Sequence, residues 1–143
     1  MTRKIYFDMD GTIADLYGVD GWLNSIISED PTPYRTAAVM CNMSKLARKL
    51  NKLQRAGWTL GIISWLPKNG TPSYNNKVAH AKLAWLKKHL SSVKFNEIHI
   101  VEYGTPKQTI GDGIHFDDEI NNRMAWGKDA HHPAEIMDVL TRL

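Results

Sequence analysis

The stretch Ile5-Tyr6-Phe7-Asp8-Met9-Asp10-Gly11-Thr12 decides the fold prediction. Its short apolar run is typical of a strand that is buried on both faces. Two aspartates, Asp8 and Asp10, follow at once, and a glycine and a hydroxyl complete a turn. Because neighbouring carboxylates repel each other unless a cation lies close by, the stretch predicts a buried strand that ends at a cation site.

The composition is that of a globular chain with the size of one domain. The chain has 143 residues, of which 43% are hydrophobic and 23% are charged, and this is enough to bury a core. A net charge of +3 suits a phosphorylated substrate but does not by itself indicate nucleic-acid binding. The single cysteine, Cys41, excludes an internal disulfide. No apolar run approaches the roughly 18–20 residues of a membrane span, so we expect a cytoplasmic protein with no membrane partner.

Strand and helix patterns alternate along the chain. Strands are predicted over 4–7, 59–64, 97–101 and 114–116, helices over 13–27, 44–56, 78–90, 121–125 and 133–143, and loops over 66–76 and 104–113. We expect the helix over 78–90 to bury Ala79, Leu83, Leu86 and Leu90. The alternation predicts a Rossmann-like three-layer α/β/α fold with a parallel sheet.

Polar residues follow the predicted strands, at the sheet edge where such folds bind ligands. They are Asp8 and Asp10 after the first strand, Ser64 at the end of the second, and Asp117 and Asp118 after the fourth, with Lys107 in the loop before the fourth. Carboxylate oxygens are the ligands that Mg²⁺ prefers, so the pattern predicts a magnesium site.

The two aspartates of the opening stretch can divide the work of phosphoryl transfer. Strand alternation points Asp8 and Asp10 toward one bound group. One carboxylate can attack phosphorus and form an aspartyl-phosphate, while the other protonates the leaving alcohol and later activates water. Ser64 and Lys107 would hold the phosphoryl oxygens, and backbone N–H groups of the turn at 10–12 would add donors.

The segment Asp8-Met9-Asp10-Gly11-Thr12 resembles the first motif of the haloacid dehalogenase superfamily of phosphohydrolases. The superfamily's other motifs also occur in order, as a hydroxyl, a lysine and the acidic pair in Phe116-Asp117-Asp118-Glu119. The resemblance implies a Mg²⁺-dependent phosphatase with Asp8 as nucleophile and Asp10 as general acid and base. It implies phosphate binding by Ser64 and Lys107 beside the turn residues Gly11 and Thr12, and metal binding by Asp8, Asp10 (through its backbone carbonyl), Asp117 and Asp118.

Within the superfamily, the chain is most similar to the 5'(3')-deoxyribonucleotidase branch. The similarity lies in the opening stretch, in Lys82 to Leu90 and in Thr105 to Asp118. It singles out Lys107 as the lysine of the third motif and makes Lys82 a candidate second phosphate contact. The alternative for Lys82 is a solvated lysine on a helix face. Trp65 stands where the branch has a small residue, so we expect it to reshape the substrate mouth.

The insertion that selects substrates in this family is short here. Only 16–43 is left for a cap, because the predicted helix 44–56 belongs to the core. The substrate is then a phosphorylated small molecule such as a nucleoside monophosphate, or, at an open site, a nucleic-acid end or a phosphoprotein. A partner subunit could also cover the site, and a non-catalytic phosphate- or Mg²⁺-binding module is a further alternative. The six histidines show no metal-ligand spacing, and we expect them to be structural or exposed.

Overall fold

The structure is a computed structural model that describes residues 2–143. The strands are β1 (Lys4–Phe7), β2 (Ala14–Asp15), β3 (Ala38–Val39), β4 (Thr59–Trp65), β5 (Glu97–Val101), β6 (Ile114–Phe116) and β7 (Ala130–His131). The α-helices are α1 (Trp22–Ile27), α2 (Thr32–Thr36), α3 (Met43–Arg55), α4 (Pro72–His89), α5 (Ile120–Trp126) and α6 (Ile136–Thr141). Single 3₁₀ turns lie at Leu16–Gly18, Lys107–Thr109 and Pro133–Glu135.

The main sheet has five parallel strands in the order β5-β4-β1-β6-β7. The chain runs from β1 outward to β4 and β5, and then returns to the other side of β1 for β6 and β7. The direction of winding therefore changes at β1, where doubly wound sheets bind ligands beyond the carboxyl ends of their strands. Phe7 at the end of β1 pairs with Ile62 of β4 and Phe116 of β6, so Asp8 and Asp117 leave the sheet at the same level.

The two faces of the sheet carry different layers. On one face, Phe7 stacks on Phe116 at 5.2 Å between ring centres, and both belong to an apolar cluster that includes Leu46 of α3. On the other face, Tyr6 meets Trp126 of α5 edge to face. Helices thus flank a parallel sheet, and the predicted Rossmann-like α/β/α fold is confirmed.

The predicted strands are confirmed, and the second one extends to Trp65. The predicted helix over 13–27 is wrong before Trp22. Ala14–Asp15 instead forms a short antiparallel ladder with Ala38–Val39, and the Asp15 carboxylate accepts the amide of Gly18 and closes a 3₁₀ turn. Gly21, with a φ of 73°, starts a new helix.

Helix α4 is longer than predicted, and its predicted apolar face is only partly right, since Leu86 and Leu90 are buried as expected. It begins at Pro72 because the Thr71 hydroxyl accepts the amide of Tyr74 and proline fits the first helical turn, so the predicted loop is wrong over 72–76. Leu83, which we expected to be buried, is 41% exposed, whereas Lys82 is fully buried. Strand β7 was not predicted, since two residues are too few to show a pattern.

The segment 16–43 contains α1, α2 and β3 and packs against α4. Leu16 and Tyr34 pack with Tyr74 and Val78 of α4 in a small apolar cluster, and the Trp85 indole N–H donates to the carbonyl of Ala37 at 2.8 Å. These contacts hold the segment beside the carboxyl ends of the strands. Within residues 2–143, none of the helices combines the length and the apolar character that crossing a membrane requires.

Candidate active site

A cavity of about 530 Å³ opens at the carboxyl ends of β1, β4 and β6. Charged residues line its deep part, and aromatic and aliphatic residues from 16–43 and from the ends of β4 and β5 line its walls. The charged residues that lie directly at the strand ends are Asp8, Asp10, Lys107, Asp117 and Asp118, and Lys68 and Glu119 also line the cavity. The structure brings the four carboxylates and Lys107 together at one edge of the sheet, as predicted. Ser64, which we expected with them, is fully buried and does not line the cavity.

Lys107 lies between two buried carboxylates. Its Nζ donates to Oδ1 of Asp8 at 2.9 Å and to Oδ2 of Asp117 at 2.8 Å, and it lies 5.3 Å from the ring centre of Trp65. Burial alone would lower the pKa of Lys107, but the charges of Asp8 and Asp117 raise it. The lysine is therefore a fixed positive charge beside both acids, and Oδ2 of Asp8 also accepts from the Thr12 hydroxyl at 3.0 Å.

Asp117 is fully buried, and hydrogen bonds reach both of its oxygens. His115 Nε2 lies 3.0 Å and Asn122 Nδ2 3.3 Å from Oδ2, and the amide of Glu119 donates to Oδ1 at 2.9 Å. Burial acts to raise the pKa of Asp117, but the bonds from His115 and Lys107 outweigh it and lower the pKa to about 2. Asp117 is therefore a permanent carboxylate.

Asp8, Asp117 and Asp118 each offer a carboxylate oxygen within 4.8 Å of the others. Burial, followed by the nearby charge of Asp8, raises the pKa of Asp118 to about 8. A raised pKa at Asp118 means that the three carboxylates lack enough positive charge around them. A divalent cation bound among them would supply that charge. The all-oxygen donor set fits Mg²⁺, which takes one or two protein carboxylates and keeps several waters.

A second cluster surrounds Lys82, which is fully buried. Its Nζ donates to Oδ2 of Asp10 at 2.9 Å, to Oγ of Ser64 at 2.6 Å and to the carbonyl of Trp65 at 2.7 Å. The reading of Lys82 as a solvated lysine is therefore wrong. Burial raises the pKa of Asp10, and the charge of Asp8 adds to this, while Lys82 opposes it.

The turn after β1 depends on a glycine in a left-handed conformation. Gly11 has a φ of 80°, and a Cβ at this position would collide with the carboxylate of Asp118. The amides of Gly11 and Thr12 donate to the carbonyls of Ala14 and Met9, so these two predicted donors are engaged inside the turn. Among the residues that the structure describes, the amides of Met9 and Asp10 have no acceptor and are the turn's available donors.

Two aromatic pairs form the walls of the cavity. Tyr17 and Trp22 of the 16–43 segment meet edge to face at 5.0 Å between ring centres, and Trp65 and Tyr103 lie equally close. The indole N–H of Trp65 donates to the carbonyl of Thr105 at 2.8 Å, which fixes the ring over Lys107. Trp65 thus lines the mouth, as expected from its place in the sequence.

Sequence reasoning missed two residues of the site. We expected His115 to be structural or exposed, but it lies in β6 two residues before Asp117, which directly follows the strand, and the alternation of an extended chain points both side chains to one side. Asn122 reaches Asp117 from the first turn of α5, and no sequence signal indicates this. No family model matches the chain, and no curated protein is similar to it at a significant level.

Proposed function

We propose that the chain is a Mg²⁺-dependent phosphomonoester hydrolase of the haloacid dehalogenase type, which acts through an aspartyl-phosphate on Asp8. The observation that carries the proposal is the buried bridge from Lys107 to Asp8 and Asp117, with Asp118 beside it. A carboxylate held in this way is fixed in orientation and is paired with positive charge. Asp10, two residues later, has a raised pKa and opens to the same cavity.

Mg²⁺ would be held by Asp8, Asp117 and Asp118, with the backbone carbonyl of Asp10 as a further ligand that the family resemblance implies. Bound there, it would neutralise negative charge on the phosphoryl group and bring that group to Asp8. Lys107, the Ser64 hydroxyl and the free amides of Met9 and Asp10 would stabilise the phosphoryl oxygens.

In the first step, a carboxylate oxygen of Asp8 attacks phosphorus, and the bond from phosphorus to the leaving alcohol oxygen breaks. The leaving oxygen takes its proton from the Asp10 carboxyl group, so a neutral alcohol departs. The raised pKa of Asp10 supports this role because it increases the fraction of Asp10 that carries a proton.

In the second step, water attacks the phosphorus of the aspartyl-phosphate and gives a proton to Asp10. The bond from phosphorus to Asp8 breaks, inorganic phosphate leaves, and the Asp8 carboxylate and the Asp10 carboxyl group are restored. Asp10 therefore acts as acid in one step and as base in the next, which a single aspartate in contact with both reacting oxygens can do.

The cavity supports a small phosphomonoester more than a polymer. Apart from the buried Lys107, Lys68 is the only Lys or Arg that lines it within residues 2–143, and Glu119 adds negative charge. A nucleic-acid end would need several cations along its backbone path. The aromatic pairs suit a planar leaving group such as a nucleoside, since bases stack on aromatic side chains.

The test is hydrolysis of 4-nitrophenyl phosphate with and without Mg²⁺, for the wild type and Asp8→Asn. We expect Mg²⁺-dependent turnover that Asp8→Asn abolishes, while the control Asp138→Asn, an exposed aspartate of α6, keeps the wild-type rate. Metal-independent turnover or an active Asp8→Asn variant would overturn the proposal. Mg²⁺ binding without turnover of any phosphoester would favour a non-catalytic binding module.

A substrate panel then tests the substrate class. We expect faster hydrolysis of nucleoside monophosphates than of 5'-phosphorylated oligonucleotides or phosphopeptides, because the rim offers a polymer few cations. Preferential hydrolysis of the oligonucleotide or of the phosphopeptide would replace the small-molecule assignment while leaving the phosphatase assignment in place.

A further inference from the structure

Lys82 is a buried cation that has no route to solvent in this structure. It is 0% exposed, and its ammonium group donates to the Asp10 carboxylate, the Ser64 hydroxyl and the Trp65 carbonyl. A lysine ammonium has three N–H donors, so these three bonds use all of them. The direct phosphate contact that the sequence predicts would require Lys82 to give up one of these bonds.

The surroundings of Lys82 hold it in place. It lies in the middle of α4, and its buried neighbours on that helix, Val78, Ala81, Trp85 and Leu86, anchor the helix in the core. The Tyr34 ring lies 5.2 Å from Nζ. An ammonium fixed by packing on one side and by three acceptors on the other has little freedom to follow a substrate.

The contact with Lys82 gives the two carboxylate oxygens of Asp10 different surroundings. Oδ2 accepts from Lys82, whereas Oδ1 has no hydrogen bond to any residue that the structure describes. Asp10 lines the cavity, and 17% of its side chain remains exposed. Lys82 therefore holds one carboxylate oxygen of Asp10 in place and leaves the other free to contact a substrate in the cavity.

We propose that Lys82 is a positioning residue, which holds Oδ2 of Asp10 so that Oδ1 faces the leaving oxygen of the substrate. Through Ser64 and the Trp65 carbonyl, the same ammonium ties α4 to the end of β4, so Asp10 is fixed relative to the phosphate-binding hydroxyl. This inference rests on the proposed function, because it assigns a role within the same phosphoryl transfer.

A positioning role and a phosphate contact predict different kinetics. A residue that binds phosphate contacts a group common to all phosphomonoesters, so its loss weakens them alike. A residue that positions Asp10 affects the first step only when the leaving group needs a proton, whereas it affects the second step equally for all substrates, because they give the same aspartyl-phosphate. The ratio kcat/KM includes only the steps up to departure of the alcohol, so it distinguishes the two roles. 4-Nitrophenolate departs readily without a proton, whereas phenolate is a much stronger base and departs slowly unless it is protonated.

The experiment compares 4-nitrophenyl phosphate with phenyl phosphate in the wild type, in Lys82→Met and in the control Lys87→Met. Lys87 is an exposed lysine of the same helix. We expect Lys82→Met to lower kcat/KM on phenyl phosphate by about 10²-fold, which is the lower range for general acid catalysis, and on 4-nitrophenyl phosphate by less than about tenfold. Lys87→Met should match the wild type on both substrates.

Lys82→Met leaves the Asp10 carboxylate buried without its cation, and this variant can therefore fail to fold. A second comparison avoids the problem, because Asp10→Asn removes that carboxylate charge. If Lys82 acts through Asp10, the double variant Asp10→Asn/Lys82→Met should hydrolyse phenyl phosphate within about threefold of Asp10→Asn alone, since coupled changes are not additive. A further tenfold loss would overturn the inference.

An equal loss of kcat/KM on the two substrates in Lys82→Met would also overturn the inference and assign Lys82 to phosphate binding. A wild-type protein with no turnover of either substrate would instead reject the proposed function. The two failures are thus distinguished by the wild-type rate.

Discussion

Lys107 and Asp8 lie 99 positions apart in the chain, yet Nζ of Lys107 lies 2.9 Å from Oδ1 of Asp8. The parallel pairing of β1 with β6 produces this proximity, because it brings Asp117 level with Asp8 while the 3₁₀ turn at Lys107–Thr109 approaches both. The ammonium lies between the two acids, where their mutual repulsion would otherwise be largest.

Replacing Lys107 should therefore make the fold depend on Mg²⁺. In Lys107→Met, two buried carboxylates lose their shared partner, and breaking a buried pair in this way costs about 3–5 kcal/mol. A divalent cation bound at the same acids would offset part of this loss. We expect the Tm to fall without Mg²⁺, and added Mg²⁺ to raise the Tm more than it does in the wild type.

The control for this prediction is Lys128→Met, at an exposed lysine, which should change neither the Tm nor its response to Mg²⁺. An equal Mg²⁺-induced rise of the Tm in Lys107→Met and in the wild type would show that the cation binds away from Asp8 and Asp117.

His115→Phe should separate metal binding from stability. The His115 ring stacks on Trp126 at 4.4 Å between ring centres, and its Nδ1 is buried without a partner. Phenylalanine keeps the stacking and removes the unpaired atom, so we expect the free energy of unfolding not to fall. It also removes the hydrogen bond to Asp117, and loss of such a bond to a metal ligand weakens metal binding by about 10–100-fold.

Titration calorimetry with Mg²⁺ and urea unfolding of the same His115→Phe protein measure the two effects. An unchanged Mg²⁺ affinity would show that His115 does not support metal binding. A large loss of stability would mean that the Asp117 bond contributes mainly to the fold.

Gly11→Ala should weaken Mg²⁺ binding, whereas Gly104→Ala, which imposes similar backbone strain, should not. Gly11 has a φ of 80°, and Gly104 has a φ of 86° with nothing within 4 Å of an added Cβ. Both replacements should cost about 1–2 kcal/mol of stability, because both force a side chain into the left-handed region. Only the Cβ added at Gly11 would collide with Asp118. Titration calorimetry should therefore show a lower Mg²⁺ affinity for Gly11→Ala and an unchanged affinity for Gly104→Ala. Equal affinities in the two variants would exclude this role for Gly11.

The ionisation of Glu97 should make the free energy of unfolding depend on pH in acid. The hydrogen bond from His99, and next that from the Tyr6 hydroxyl, hold the pKa of Glu97 below its usual range. A lowered folded-state pKa stabilises the fold above the unfolded pKa of about 4.3, and this contribution is lost as pH falls through the folded pKa. Glu97→Gln should therefore lower the free energy of unfolding by about 1 kcal/mol at pH 7, and the difference from wild type should shrink below pH 4.

Urea unfolding of wild type, Glu97→Gln and the exposed control Glu102→Gln across this pH range provides the measurement. A difference between wild type and Glu97→Gln that stays constant with pH would mean that the effect is not one of the ionised carboxylate.

The sequence predicts the sheet well because strands buried on both faces are continuous apolar runs. The same reasoning predicts that Asp8 and Asp117 meet, since parallel strands end at one edge. It fails over 13–27, where the helical period continues past Gly18 but the Asp15 carboxylate closes a turn instead. Apolar periodicity cannot reveal a bond between a side chain and the backbone.

The buried face of α4 is predicted only in part, at Leu86 and Leu90. A leucine pattern places Leu83 in the core and Lys82 outside, but the structure has the reverse, because Lys82 finds three oxygen acceptors at the site. A buried lysine is tolerated only where such partners exist. Those partners come from the ends of two strands, and their arrangement follows from the tertiary fold.

The central claim is that Asp8 becomes phosphorylated, and the most direct test is to trap that intermediate. Asp10→Asn lacks the base that activates water, so phosphoenzyme should accumulate when this variant is mixed with 4-nitrophenyl phosphate and Mg²⁺ and quenched in acid. Mass spectrometry of the digest should then find the phosphoryl group on Asp8, and Asp8→Asn should carry none. Turnover by wild type with no phosphorylated aspartate in either protein, or a phosphoryl group on another residue, would contradict the account.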